Sequence, residues 1–137
     1  MKILNLIRTG VAGLALLASL GAWAHGEGQE TIEVLQEHPL QNAPGMKGTL
    51  ITVGYAPGQQ SIAHRHGGSV IAYVLDGEVV SQLQGEPAHT YKAGESWYEP
   101  AGTVHLASRN ASATKPATLL VWLLTEEKQP LLEPLAE

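Results

Sequence analysis

No cysteine occurs in the 137 residues, so disulfides, thiolate metal sites and cysteine nucleophiles are all excluded. Phenylalanine is absent too, and three Trp and four Tyr are the only aromatics, so a core built from this chain is mostly aliphatic. Positive charge is scarce, with 8 Lys and Arg against 13 Asp and Glu. An acidic surface opposes binding to a phosphate backbone, so no nucleic-acid partner is expected. No long segment carries apolar residues at the 3.6-residue period of an amphipathic helix.

What is present begins with a leader-like segment. Lys2 and Arg8 precede the apolar run "VAGLALLASL" (11–20), and "AWA" (22–24) offers a small-x-small cleavage pattern. Ten apolar residues fall short of the roughly 20 needed to span a bilayer. Residues 1–24 are therefore expected to be a secretory signal peptide. The expected product is periplasmic or secreted, with no stable membrane association after cleavage. The mature chain would start at His25 and carry six basic against 13 acidic side chains, a net charge of −7. Its length suits one domain.

The rest reads as short strands broken by Gly and Pro, which implies an all-β sandwich or barrel. Residues 25–48 form an N-terminal extension in which "TIEVLQEHPL" (31–40) could be an edge strand. "TLITVGYAPG" (49–58) is β-branched and ends in a Pro-Gly turn. "SVIAYVLDGEVVSQLQG" (69–85) predicts a hairpin closed by Asp76-Gly77. "TVHLASRN" (103–110) predicts a further strand, and the unbroken apolar run "TLLVWLL" (118–124) a fully buried one. Residues 125–137, with Pro130 and Pro134, predict an extended C-terminal tail.

Six histidines carry the chemistry. His64 and His66 have period-2 spacing, which on a strand puts both rings on one face. Imidazole is a good ligand for Zn, Cu, Fe and Ni, but a lone H-x-H is weak evidence. Its context is more specific. Gly58, five residues, His64-x-His66, a gap and Gly77 form one pattern. Gly94, five residues, Pro100-x-Gly102, two residues and His105 form a second. These two stretches resemble the two motifs of the cupin family, over about residues 49–124. The resemblance implies a cupin-type double-stranded β-helix, or jelly-roll, barrel. It also implies a divalent metal (Fe, Mn, Zn, Ni or Cu) held by His64, His66 and His105.

Two positions depart from the family pattern. Val70 stands where the motif has a glutamate ligand, and Arg109 stands where it has asparagine, with Asn110 one residue late. Valine cannot coordinate anything. The site is then either a three-histidine centre with open positions or a weakened one. Glu99 and Glu78 are the remaining candidates for a fourth ligand, and both read as solvated surface carboxylates. Tyr73, Trp97 and Tyr98 are candidate substrate contacts, although aromatics on strands more often serve the core. Arg65 lies between the two histidines and should face outward. His38 and His89 look like surface residues. A free N-terminal amine at His25 could chelate copper, but nothing positions a partner for it. Asn110-Ala111-Ser112 matches the glycosylation sequon, a triplet common by chance.

Two functions follow from the resemblance. One is a metal-dependent enzyme, dioxygenase-like or isomerase-like, acting on a small organic substrate. The other is a non-catalytic periplasmic module that binds or senses a metal or small ligand. The fold hosts both kinds. Small cupins are often homodimers, and residues 31–40 could pair across such an interface.

Overall fold

A computed structural model describes residues 30–135, so the expected signal peptide and His25 lie outside the described residues. Ten strands follow one another: β1 (Thr31–Pro39), β2 (Met46–Tyr55), β3 (His64–Arg65), β4 (Ser69–Asp76), β5 (Glu78–Leu83), β6 (His89–Lys92), β7 (Ser96–Glu99), β8 (Val104–Asn110), β9 (Ala117–Glu126) and β10 (Glu133–Pro134). There is no helix among the described residues. The strands form two five-stranded sheets, ordered β1-β2-β9-β4-β7 and β10-β3-β8-β5-β6. Every pairing is antiparallel. This is the jelly-roll barrel that the sequence implied.

Alternation builds the core. Along β2, β4 and β9 every second side chain is buried: Ile51, Val53 and Tyr55, then Val70, Ala72 and Val74, then Leu119, Val121 and Leu123. Leu123 and Val74 are fully buried. Burying a side chain of that kind stabilises the fold by about 1.5–3 kcal/mol. Tyr55 clasps the two sheets at one end of the interior. Its hydroxyl lies 2.7 Å from Ser61 Oγ and 2.8 Å from Ser108 Oγ, and burial pushes its pKa up to about 12.

The expected edge strand is β1, which pairs only with β2 and is exposed along its whole length. Two expectations need correction. Asp76-Gly77 does not close a hairpin, because β4 and β5 belong to different sheets. Both neighbour positions of β4 are taken by β9 and β7, so the turn becomes a corner that carries the chain across. Gly77 adopts φ 77°, and a Cβ there would collide with Pro116 O and Ala117. The run 118–124 is not buried on both faces either. Trp122 is exposed and Leu120 and Leu124 are half-buried, because the outer face of this sheet is apolar but open.

The C-terminal segment is tied down. Glu133 and Pro134 pair with Arg65 and His64, which brings the tail over one mouth of the barrel.

Candidate metal centre

His64 starts β3 and stands directly opposite His105 of β8. His66 follows just past the end of β3, while Arg65 between them is exposed. Gly68 makes this tight return possible. A Cβ there would run into the carbonyl of Leu124 on β9. The ring centroids of His64 and His66 are 4.8 Å apart, and those of His64 and His105 5.2 Å. One ring nitrogen from each of the three lies within 4.8 Å of the others.

Backbone carbonyls fix two of the rings. His64 Nδ1 donates to Ile62 O at 2.7 Å, and His66 Nδ1 donates to Leu131 O at 2.5 Å. Both Nε2 atoms then present lone pairs, and they face each other at 3.1 Å. Two lone pairs at that distance repel unless a proton or a cation sits between them. Two nitrogens bound to one ion at about 2.0–2.1 Å stand roughly 3.0–3.4 Å apart. The observed separation falls within that span, so the residues fit a metal ion. Burial lowers the pKa of His64, and its neighbours His66 and His105 add to the effect. The Ile62 carbonyl and Glu99 oppose it only in part. The neutral imidazole that a metal requires is thereby favoured. His105 is held by Ser81, whose Oγ lies 2.8 Å from Nε2.

Glu99 overturns the sequence expectation. It is 3% exposed, not a solvated surface carboxylate, and it ends β7 with its side chain inside the barrel. Its Oε1 accepts a hydrogen bond from Trp97 Nε1 at 2.8 Å and lies 3.3 Å from His105 Nδ1. Its Oε2 is buried with no hydrogen-bond partner, 3.8 Å from His66 Nε2. Burial alone would raise the carboxyl pKa. The hydrogen bond and charge of His105, with His66 and Trp97, outweigh it and hold Glu99 below its ordinary value. Glu78, the other carboxylate considered, is exposed as expected.

The sequence profile of the cupin domain matches residues 51–123, more than half of the chain. The chain belongs to the cupin family. Solved structures agree on the fold. A cupin-like protein from Thermotoga maritima superimposes with a TM-score of 0.63 at 22% identity, covering 81% of this chain and 79% of that one. A protein from Thermus thermophilus is 30% identical over 69% of this chain and 82% of its own, with a TM-score of 0.56. A DMSP lyase from Ruegeria pomeroyi has a TM-score of 0.61 at 19% identity, with 77% of this chain covering 51% of that enzyme. No curated protein is significantly similar to the chain in sequence.

Within this cupin the three histidines open onto a cavity of about 50 Å³. Val70, Ala72, Leu119 and Val121 line one side, and Leu131 and Leu132 of the tail reach its rim. Of the three candidate substrate contacts, only Trp97 lines this cavity. Tyr73 and Tyr98 are 41% and 54% exposed. They occupy the outward positions of β4 and β7, and Tyr98 borders a separate cleft with Glu86 and His89. The late asparagine has a structural cause. A β-bulge in β8 pairs Gln82 with Ala107 but Leu83 with His105. The extra residue flips the alternation, so Arg109 points out and Asn110 points in. Asn110 is buried and braces the next turn, donating to Ala56 O and Lys115 O and accepting from Ser112 N. A buried, fully engaged amide is no glycosylation acceptor in the folded protein.

Proposed function

We propose that this cupin holds one divalent ion, Fe, Mn, Zn, Ni or Cu, through His64, His66 and His105, and acts with it on a small organic molecule in an exported compartment. The observation that carries the metal reading is the 3.1 Å approach of His64 Nε2 and His66 Nε2, with both Nδ1 atoms already committed to carbonyls. A bound divalent ion supplies Lewis acidity or, if redox-active, the capacity to activate O₂, which is the basis for a dioxygenase-like or isomerase-like activity. The chain's own residues perform the remaining tasks. Ile62 O, Leu131 O and Ser81 Oγ orient the rings, as partners behind metal-bound histidines do. The aliphatic side of the cavity keeps water away from the site. Trp97 offers an aromatic surface beside His105, with ring centroids 6.3 Å apart.

A second reading is a non-catalytic binding or sensing module. The size of the cavity favours it. About 50 Å³, against the ~150 Å³ that holds benzene in an engineered site, suits an ion with a small ligand.

Elemental analysis of the purified protein should find close to one transition metal per chain. Adding the missing ion to chelator-treated protein should raise its melting temperature in a concentration-dependent way. Protein free of metal, with no thermal shift from any of the five ions, overturns the metal reading. Oxygen uptake or product formation with small diketones and phenols separates enzyme from binder. Saturable binding without consumption favours the second reading.

A further inference from the structure

The family's glutamate position is Val70, 1% exposed on the inner face of β4. Its direct cross-strand partner on β7 is Glu99. Paired inward residues on neighbouring antiparallel strands have Cβ atoms only about 4.5–5.5 Å apart. A carboxylate lost from β4 and gained at the paired position of β7 therefore reaches much the same space. Resting on the three-histidine reading above, we propose that Glu99 is the fourth metal ligand of this protein, supplied by β7 instead of β4.

The contacts of the two carboxylate oxygens divide the labour. Trp97 Nε1 holds Oε1 at 2.8 Å and so fixes the plane of the group. Trp97 and Glu99 are two apart on one strand, so both face inward and this brace is built into the local sequence. Oε2 is left without a hydrogen-bond partner and lies 3.8 Å from His66 Nε2, one of the two nitrogens that face each other. Among the described residues only one other buried side-chain oxygen lacks a partner, the Thr125 hydroxyl. An unpartnered hydroxyl costs little beside an unpartnered carboxylate oxygen, whose charge calls for a cation or a proton nearby. A divalent ion among the three imidazoles would satisfy Oε2 and relieve the facing lone pairs together. Monodentate ligation through Oε2, with Oε1 kept by Trp97, matches this arrangement.

The alternative role for Glu99 is to orient His105 through the 3.3 Å contact with Nδ1, which would turn Nε2 instead of Nδ1 to the ion and replace Ser81 as the outer partner. Zinc and copper titrations distinguish the two roles. Wild-type protein and E99Q, which keeps the shape and an acceptor for Trp97, are stripped with chelator and titrated with each ion alone against a chromophoric competitor. Loss of an outer partner typically weakens metal binding by about 10–100-fold. A direct ligand should sit at or beyond the upper end, so E99Q is expected to bind at least about 100-fold more weakly. Its Cu(II) EPR spectrum should also shift, reporting a changed ligand set. Wild-type protein that binds one ion while E99Q binds equally well, with the same spectrum, overturns the Glu99 assignment and leaves the histidine site standing. Wild-type protein that binds no ion overturns both. If E99Q does not fold, the infrared difference spectrum of wild-type protein with and without zinc decides. A widened splitting of the carboxylate stretches supports ligation, and the absence of any carboxylate band overturns it.

Discussion

The two sheets of this barrel share one interior but present it with opposite chemistry. The sheet containing β2, β4 and β9 offers Ile51, Val53, Val70, Ala72, Val121 and Leu123 to the centre. The facing sheet buries Val79 and Leu83 too, but adds His64, His105, Ser81 and Ser108, with His66 just beyond β3. The first wall supplies most of the aliphatic core and the second supplies the histidines. Glu99 is the exception, the single carboxylate that the aliphatic sheet sends into the interior among the described residues. A buried polar cluster on a flexible wall would be free to turn outward to water. Here the hydrogen bonds to Ile62 O, Leu131 O and Ser81 Oγ keep the imidazoles aimed inward.

The contrast can be broken most severely from the aliphatic side. Leu123→Ala removes a fully buried side chain, and should cost about 2–5 kcal/mol in the urea unfolding free energy. Metal stoichiometry at low temperature should stay at the wild-type value. From the polar side, His105→Ala should weaken metal binding by at least about 100-fold, more than the loss of an outer partner does. Its effect on the unfolding of metal-free protein should be the smaller of the two. Equal effects of both variants on both readouts would dissolve the distinction between the walls.

Acid should act on the two walls in sequence in the metal-free protein. Burial holds the folded His64 below the ordinary 6.5, so the unfolded chain takes up a proton first. Its contribution is fully present above about pH 6.5 and is lost as pH falls below it. Glu99 is held below 4.5 in the folded state, so its contribution is present above that value and is lost at lower pH. The urea midpoint should therefore fall in two stages from pH 7 to pH 3. His64→Gln should remove the first stage alone. Smaller again is Tyr55→Phe, which removes the hydroxyl contacts to Ser61 and Ser108 and should cost about 1 kcal/mol. Smallest is Tyr98→Ala on the outer face. It should change stability by no more than about 0.5 kcal/mol and leave metal binding unchanged.

The sequence carries the histidine trio because its signal is local. His64-x-His66 and Pro100-x-Gly102-x2-His105 are readable within a few residues each. Glu99 escapes a sequence reading because its placement is a matter of register. Only the pairing of β4 with β7 reveals that it faces the position of Val70. A local hint exists in Trp97-x-Glu99, since a strand that buries its tryptophan buries the residue two along as well. Asp76-Gly77 misleads for a different reason. A tight turn and a sheet-to-sheet corner ask for the same glycine conformation, and only the occupancy of the neighbouring strands separates them. The one-residue offset at Asn110 likewise records a bulge, which a pattern of fixed spacings counts as a mismatch.

The tail has a consequence of its own. Leu131 accepts the Nδ1 hydrogen of His66, and Glu133 and Pro134 zip onto β3. The far end of the chain is thus mechanically joined to one of the rings. Coupling of this kind is reciprocal: whatever clamps the ring also clamps the tail, and whatever peels the tail away loosens the ring. The last described residues become an indicator needle for the interior. Protease sensitivity or amide exchange at residues 131–135 reads out, from outside the barrel, how firmly His66 is held within it.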